Sequence, residues 1–272
     1  MLPVFQVLSD AADGEALGAE VAYGGPLRFP ANPRPYVIAN FVASVDGVAS
    51  LGLTDGTDST TLSGSSRADR YLMALLRASA DAVVIGAGNL RATPGHQWTP
   101  AAVAGEDAPA VAEFRLERTG SRQPPVLVVV SASGDLPAHV ALDHPATGVA
   151  VITSSAGAVR VRAAHPRVTV IEAGDEKRIS GAGVVSAVTT AIGPGLLLCE
   201  GGPSLFGRLL ADHVVHELFL TVSPRLAGRD HDQSRPGIVD RFAAAPNALL
   251  RTAIESVRRS DDHLFLRYRF EF

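Results

Sequence analysis

Two short apolar runs in this chain stop at glycines and pass straight into helix-forming sequence, and this join restricts the fold more than any other feature. The first run is Val83-Val84-Ile85-Gly86-Ala87-Gly88-Asn89-Leu90, and the second is Leu198-Cys199-Glu200-Gly201-Gly202-Pro203-Ser204-Leu205. A strand that hands on to a helix in this way is the repeating unit of α/β proteins with parallel sheets. Glycine at the join admits a ligand to the backbone, and the free N–H groups of a helix start attract anions. In the second run Gly202, Ser204 and Leu205 offer such groups. Glu200 falls at the carboxyl end of its strand, where open α/β sheets place ligand contacts. The first run lacks the third glycine of a dinucleotide fingerprint, since Arg91 stands there, and alone it reads equally as a tight turn. Together the two ends point to a dinucleotide pyrophosphate.

The surrounding pattern extends the α/β reading. Strands are expected at Tyr36–Ala43, Asp81–Gly86, Val126–Val130, Val149–Thr153, Val168–Ile171, Gly195–Cys199 and His216–Ser223. Ser66-Arg67-Ala68-Asp69 has capping-box spacing, and Ala68, Tyr71, Leu72, Leu75 and Ser79 then share one helical face. Further helices are expected at Ser154–Ala164, Ser180–Ile192 and Pro203–Asp212. Residues 51–64 read as a polar loop and residues 92–123 as poorly patterned surface structure. Arg251–Arg258 and His263–Phe270 alternate about Ser260-Asp261-Asp262, the mark of an antiparallel hairpin. The expected fold is therefore a three-layer α/β/α sandwich: a mostly parallel mixed sheet with a C-terminal antiparallel hairpin. Residues 1–34, rich in Ala, Gly and Pro with one short helix expected at 9–22, read as an extension to a single domain at 35–272.

Bulk properties exclude several classes. The 272 residues carry a net charge of −4 with basic residues interspersed, so nucleic acid is not an expected partner. No apolar run reaches the ~18 residues of a membrane span, and the start Met1-Leu2-Pro3-Val4-Phe5 lacks a signal peptide's basic region, so a cytoplasmic protein is expected. The lone Cys199 excludes intramolecular disulfides and cysteine-cluster metal sites, and it reads as a small buried hydrophobe. His213 and His216 have no third ligand at metal spacing, so no metal is expected. Asp230-His231-Asp232 reads as solvated surface. Neither a Gly-x-Ser-x-Gly elbow nor a Walker A lysine occurs.

A third stretch, Asn40-Phe41-Val42-Ala43-Ser44-Val45-Asp46-Gly47, places an acid just beyond a strand's carboxyl end. A carboxyl in a partly apolar site can serve as a proton donor. The same Asp-Gly pair also reads as an ordinary turn.

Taken in order and spacing, Asn40–Gly47, Ala80–Leu90 and Glu200–Leu205 resemble the pyrimidine reductase family of riboflavin biosynthesis, in its stand-alone form without a deaminase domain. Val214-Val215-His216-Glu217-Leu218-Phe219-Leu220-Thr221-Val222-Ser223-Pro224-Arg225-Leu226-Ala227-Gly228 looks like the family's Val-Asp-Glu-Leu strand with its following Pro and Gly. The resemblance covers roughly residues 35–271. It implies a dihydrofolate-reductase-like fold, NADPH as hydride donor and a homodimer, with the C-terminal hairpin at its interface. The implied substrate is a small phosphorylated pyrimidine: 5-amino-6-(5-phosphoribosylamino)uracil or its 2,5-diamino pyrimidinone analogue. Its sugar opens to an imine whose C1' receives the hydride.

Carried over by position, the resemblance implies that Gly201, Gly202, Pro203, Ser204, Leu205 and Phe206 cradle the pyrophosphate. Gly86, Asn89 and Thr93 contact the cofactor, Ala43 lies against it, and Ser131 lies on its adenosine side. Asn40 and Arg77 are implied substrate contacts. Glu200 matches a substrate-contacting acid, and Asp46 is the preferred proton-relay or orienting carboxylate. Two features depart from the family: both aspartates of its Gly-x-Gly-Thr-Val-x-x-Asp-Asp-Pro motif are missing, with Thr93 at the first, and Asn40 replaces its lysine. These departures leave open a reductase of dihydrofolate or another pterin, and a non-catalytic NADPH-binding protein.

Overall fold

Alternating runs of β-branched and leucine residues with alanine-rich amphipathic stretches build a sheet between two layers of helices. A computed structural model describes residues 4–10, 17–18, 27–31, 35–144, 147–175, 178–230 and 235–272. In chain order the elements are β1 (Val4–Asp10), β2 (Leu17–Gly18), β3 (Tyr36–Ser44), α1 (Asp58–Ser63), α2 (Arg67–Ser79), β4 (Ala82–Gly86), α3 (Ala87–Ala92), α4 (Pro100–Ala104), α5 (Ala108–Thr119) and β5 (Val126–Val130). They continue with β6 (Val149–Thr153), α6 (Ser155–Ala164), β7 (Thr169–Glu172), α7 (Gly181–Ile192), β8 (Leu196–Cys199), α8 (Pro203–Ala211), β9 (Glu217–Ser223), β10 (Arg251–Ser260) and β11 (His263–Glu271).

These strands form one sheet in the order β2-β1-β10-β11-β9-β3-β8-β4-β5-β6-β7. From β9 to β7 every neighbouring pair is parallel, and from β9 outward through β11, β10, β1 and β2 every pair is antiparallel. The chain steps outward from β4 to β7, then returns to insert β8 between β3 and β4. Such a reversal opens a crevice at the carboxyl ends of the strands beside it.

Side-chain alternation along the strands divides the core into two layers. Ile38, Leu76, Val83, Ile85, Leu127, Val129, Leu198 and Phe219 face one way with α2, while Val37, Val84, Val128, Leu197, Cys199, Leu205, Phe206 and Leu209 face the other with α8. Burial pushes the Cys199 thiol up to about 12, so it is an inert hydrophobe. The three-layer class expected from the sequence is the class observed.

Three local expectations are corrected. The polar loop at 51–64 contains α1, and the unpatterned stretch at 92–123 contains α4 and α5. Prolines at the first turns of α4 and α5, and a buried stripe of only Val111 and Arg115 on α5, conceal those two helices from periodicity. Of the helix expected at 9–22, Ser9 and Asp10 end β1 and Leu17–Gly18 form β2, and the other residues lie outside the described ones. Residues 231–234, within the Asp230-His231-Asp232 loop, also lie outside them. Among the described residues no helix is long and apolar enough to cross a membrane.

Candidate active site

The two glycine turns that stood out in the sequence meet at the crevice. Asn89, on α3, donates its side-chain Nδ2 to the Glu200 carbonyl at 3.3 Å and accepts the Gly202 N–H on Oδ1 at 3.0 Å. The Gly86 N–H donates to the Gly201 carbonyl at 3.3 Å, and the Glu200 N–H to Val84 at 3.1 Å. A Cβ on Gly201 would stand 2.9 Å from the Asn89 amide, so the lacing requires glycine there. Thr93 closes α3 by donating its hydroxyl to the Asn89 carbonyl at 2.8 Å, and its own carbonyl meets His139 Nε2 at 2.8 Å.

This geometry narrows the expected anion cradle. The Gly202 N–H belongs to Asn89, and the Leu205 and Phe206 N–H groups both donate to the Gly202 carbonyl, at 3.0 and 3.1 Å. That leaves the Ser204 N–H without a partner among the described residues. Pro203, at the first helical position, has no N–H to offer. The Ser204 hydroxyl donates to the Asp240 carboxylate at 2.6 Å, which places an acid at the mouth of the helix. Leu205 and Phe206 turn their side chains into the core, Phe206 against Phe41 with ring centroids 4.8 Å apart.

Beneath the turn lies a buried ion pair. Arg77, 1 % exposed in the last turn of α2, donates Nε to Glu200 Oε1 at 2.8 Å and Nη2 to Oε2 at 2.6 Å. Its Nη1 donates to the carbonyls of Gln97 and Thr99, each at 3.2 Å, and Nη2 also meets His96 Nε2 at 3.0 Å. All five guanidinium N–H groups are thereby committed within the protein. Arg77, expected as a substrate contact, is engaged here on Glu200, His96 and the carbonyls of Gln97 and Thr99. Burial, then Arg77 and His139, push His96 down to about 3. His96 is therefore neutral near pH 7 and accepts the Arg77 proton on Nε2.

On β3, Asn40 and Val42 are half-buried on the side of the sheet that carries Ile38, and Ala43 is buried on the other. Asn40 makes no side-chain hydrogen bond among the described residues. Asp46 lies in the turn that follows. It accepts the Ser44 hydroxyl at 2.6 Å, the Ala227 N–H at 3.0 Å and the Gly228 N–H at 2.8 Å. The Ser44 hydroxyl and these N–H groups hold its carboxyl well below the usual carboxylate range. It is ionised near pH 7, which opposes the proton-relay role and makes it the tie between this turn and the loop after β9. Ser131, just past β5, is buried and donates its N–H to Ile152.

The arrangement thus gathers Gly86, Asn89, Glu200, Gly201, Gly202, Pro203 and Ser204 at the reversal, with Arg77 below them. Asn40, Ala43 and Asp46 lie along the adjacent β3, and Ser131 lies two strands away on the other side. Sequence reading missed His96, which carries no motif. Ser66 does cap the helix, accepting the Asp69 N–H at 3.3 Å.

The arrangement of strands is shared with solved structures. RibD of Acinetobacter baumannii, in its form 2, matches with a TM-score of 0.64 at 22 % identity over 88 % of this chain and 58 % of that one. The chain therefore spans less than two thirds of that protein. A pyrimidine reductase-like protein of Corynebacterium diphtheriae matches with a TM-score of 0.68 at 20 % identity, over 94 % of this chain and all 100 % of that one. The riboflavin biosynthesis reductase Rib7 of Saccharomyces cerevisiae matches with a TM-score of 0.55 at 13 % identity, over 90 % and 93 % of the two chains. No curated protein sequence aligns significantly with the chain. Residues 35–257 match the family model of the RibD C-terminal domain, and the chain belongs to that family.

Proposed function

We propose that this protein is an NADPH-dependent reductase of a ribosylaminopyrimidine 5'-phosphate in riboflavin biosynthesis. The observation that carries the reading is the crevice itself: two glycine turns laced by Asn89, directly above a carboxylate fixed by a buried arginine. Family membership gives the reaction class.

The residues at the reversal fit a dinucleotide. A Cβ on Gly88 would meet nothing within 4 Å, so the first turn is open to a ligand. The Ser204 N–H at the start of α8 supplies a donor to a phosphate oxygen. Ser131 and Thr93 extend the surface toward β5, where the adenosine half would lie. When bound, NADPH supplies a hydride.

The protein's own part is to bind and orient. Glu200 is held in place by two hydrogen bonds from Arg77, so its remaining lone pairs can accept N–H or O–H groups of the substrate with little reorganisation. The half-buried Asn40 amide offers one donor and one acceptor on the neighbouring strand. Asp46 holds the wall of the site together. Residues 35–272 form the catalytic domain in this reading, residues 1–34 an extension, and the enzyme is a cytoplasmic homodimer.

Absorbance at 340 nm tests the assignment. Purified protein should oxidise NADPH only when the phosphoribosylaminopyrimidine is added. No oxidation with a verified substrate, or equal oxidation without one, overturns it.

A further inference from the structure

Arg115 is a buried cation without an anion. It lies on α5, is 7 % exposed, and has no carboxylate within ion-pair distance among the described residues. Its Nε donates to the Gln123 carbonyl, and its Nη1 donates to the carbonyls of Ala78 and Ala80, each at 2.9 Å. A guanidinium carries five N–H groups, so the two on Nη2 are unspent among the described residues. Burial draws the Arg115 pKa down, and Asp81 draws it partly back without touching it. Asp81 Oδ2 is itself taken by the Leu196 N–H at 2.7 Å. A charge removed from water ordinarily has a partner, because desolvation is costly.

Arg115 lines a cavity of about 420 Å3. Ligand pockets run from roughly 300 to 1,000 Å3, so this space suits a small molecule. Its other walls are mainly apolar: Pro100 and Ala102 on α4, Ala108, Val111 and Ala112 on α5, and Pro124 before β5. The remaining polar groups are engaged. Arg122 pairs with Glu113 at 2.5 Å, and His144 Nδ1 meets the Thr147 hydroxyl at 3.0 Å. None of these residues belongs to the crevice. Gln97 and Thr99 stand between the two places: both line the cavity, and their carbonyls hold Arg77 Nη1.

We propose that this cavity is a second binding site, for a small apolar monocarboxylate whose oxygens take the two N–H groups of Arg115 Nη2. Alanine and proline walls favour an apolar body, which gains by leaving water. The carboxylate supplies the missing anion through charge-assisted hydrogen bonds. A neutral analogue of the same shape leaves the cation unpaired. A phosphate dianion brings more charge and more lone pairs than one half-spent guanidinium satisfies. The occupant shares a wall with the brace of Glu200 and leaves the crevice open.

Calorimetric titration with 4-phenylbutanoate and 4-phenylbutanamide tests the site. The carboxylate should bind one to one at millimolar concentration or below, equally with and without NADPH. The amide should bind at least about 10-fold more weakly, since it forms no charged hydrogen bond. Arg115→Met should erase that preference, with circular dichroism as the check on folding. Should Arg115→Met fail to fold, Ala112→Phe carries the comparison: it fills the cavity, leaves Arg115 in place and should abolish binding of both compounds. Equal affinity for acid and amide, unchanged binding in Ala112→Phe, or no binding of the acid at millimolar concentration overturns the proposal. Its failure is distinct from failure of the reductase reading, since the one is read by heat of binding and the other by NADPH oxidation.

Discussion

Arg77 and Glu200 meet through two parallel hydrogen bonds, 2.8 and 2.6 Å long, with side chains only 1 % and 6 % exposed. The pair joins the end of α2 to the end of β8, and it fixes Glu200 beside the two glycine turns. The guanidinium spends its donors within the protein, so in the proposed function Arg77 positions Glu200.

Breaking one side of that pair should be worse than removing both. Arg77→Met strands a buried carboxylate and should cost about 3–5 kcal/mol of folding stability. Arg77→Met combined with Glu200→Leu should recover much of that loss and still be inactive. Urea unfolding of both variants, alongside NADPH oxidation, checks the order.

Asn89 should govern cofactor affinity through the glycine turn. Asn89→Ala loses two hydrogen bonds, a cost of about 1–2 kcal/mol in stability, and NADPH binding should weaken roughly 10-fold as the turn loosens. Gly201→Ala places a Cβ 2.9 Å from the Asn89 amide and should weaken NADPH binding as well. Adding Asn89→Ala to Gly201→Ala should relieve the clash. Fluorescence titration would show a double variant that binds better than Gly201→Ala alone.

Asp46 should matter to stability above acid pH and not to the pH profile of turnover. Its folded carboxyl titrates below the unfolded value of about 3.9. The unfolded chain therefore binds the extra proton first, and stability falls as pH drops below about 4. Asp46→Asn should lower the unfolding midpoint at pH 7, and the difference from wild type should shrink steadily below pH 4. A gap that stays the same size between pH 4 and pH 2 would contradict the assignment.

His96 adds an earlier acid sensitivity. It is neutral when folded, with its pKa pushed down to about 3, whereas an unfolded histidine titrates near 6.5. Protons thus favour the unfolded chain between about pH 6.5 and 3, and stability should rise with pH across that window. His96→Gln should flatten the slope of midpoint against pH between 6 and 4, as read by thermal unfolding at closely spaced pH values.

Much of the architecture was legible because local pattern and global fold agree. Val126–Val130 and Val149–Thr153 are buried, β-branched and short, and they were bounded correctly. Gly86 and Gly201 marked the crevice, and at Gly201 a Cβ would stand 2.9 Å from the Asn89 amide. What stayed hidden depends on contacts between distant parts of the chain. Nothing local says that Arg77 will spend every donor on Glu200, His96 and two carbonyls. Nothing local says that Asn89 will brace Gly202. The Asp46-Gly47 pair was readable as a turn, and its three hydrogen bonds favour that reading over a proton relay.

The most direct test of the central claim follows the hydride. The protein would be incubated with the phosphoribosylaminopyrimidine and NADPH carrying deuterium at one face of the nicotinamide C4, then at the other. The account predicts a ribitylamino product one mass unit heavier from one of the two labelled cofactors and unlabelled product from the other. Product without deuterium from either, or no product at all, would contradict it.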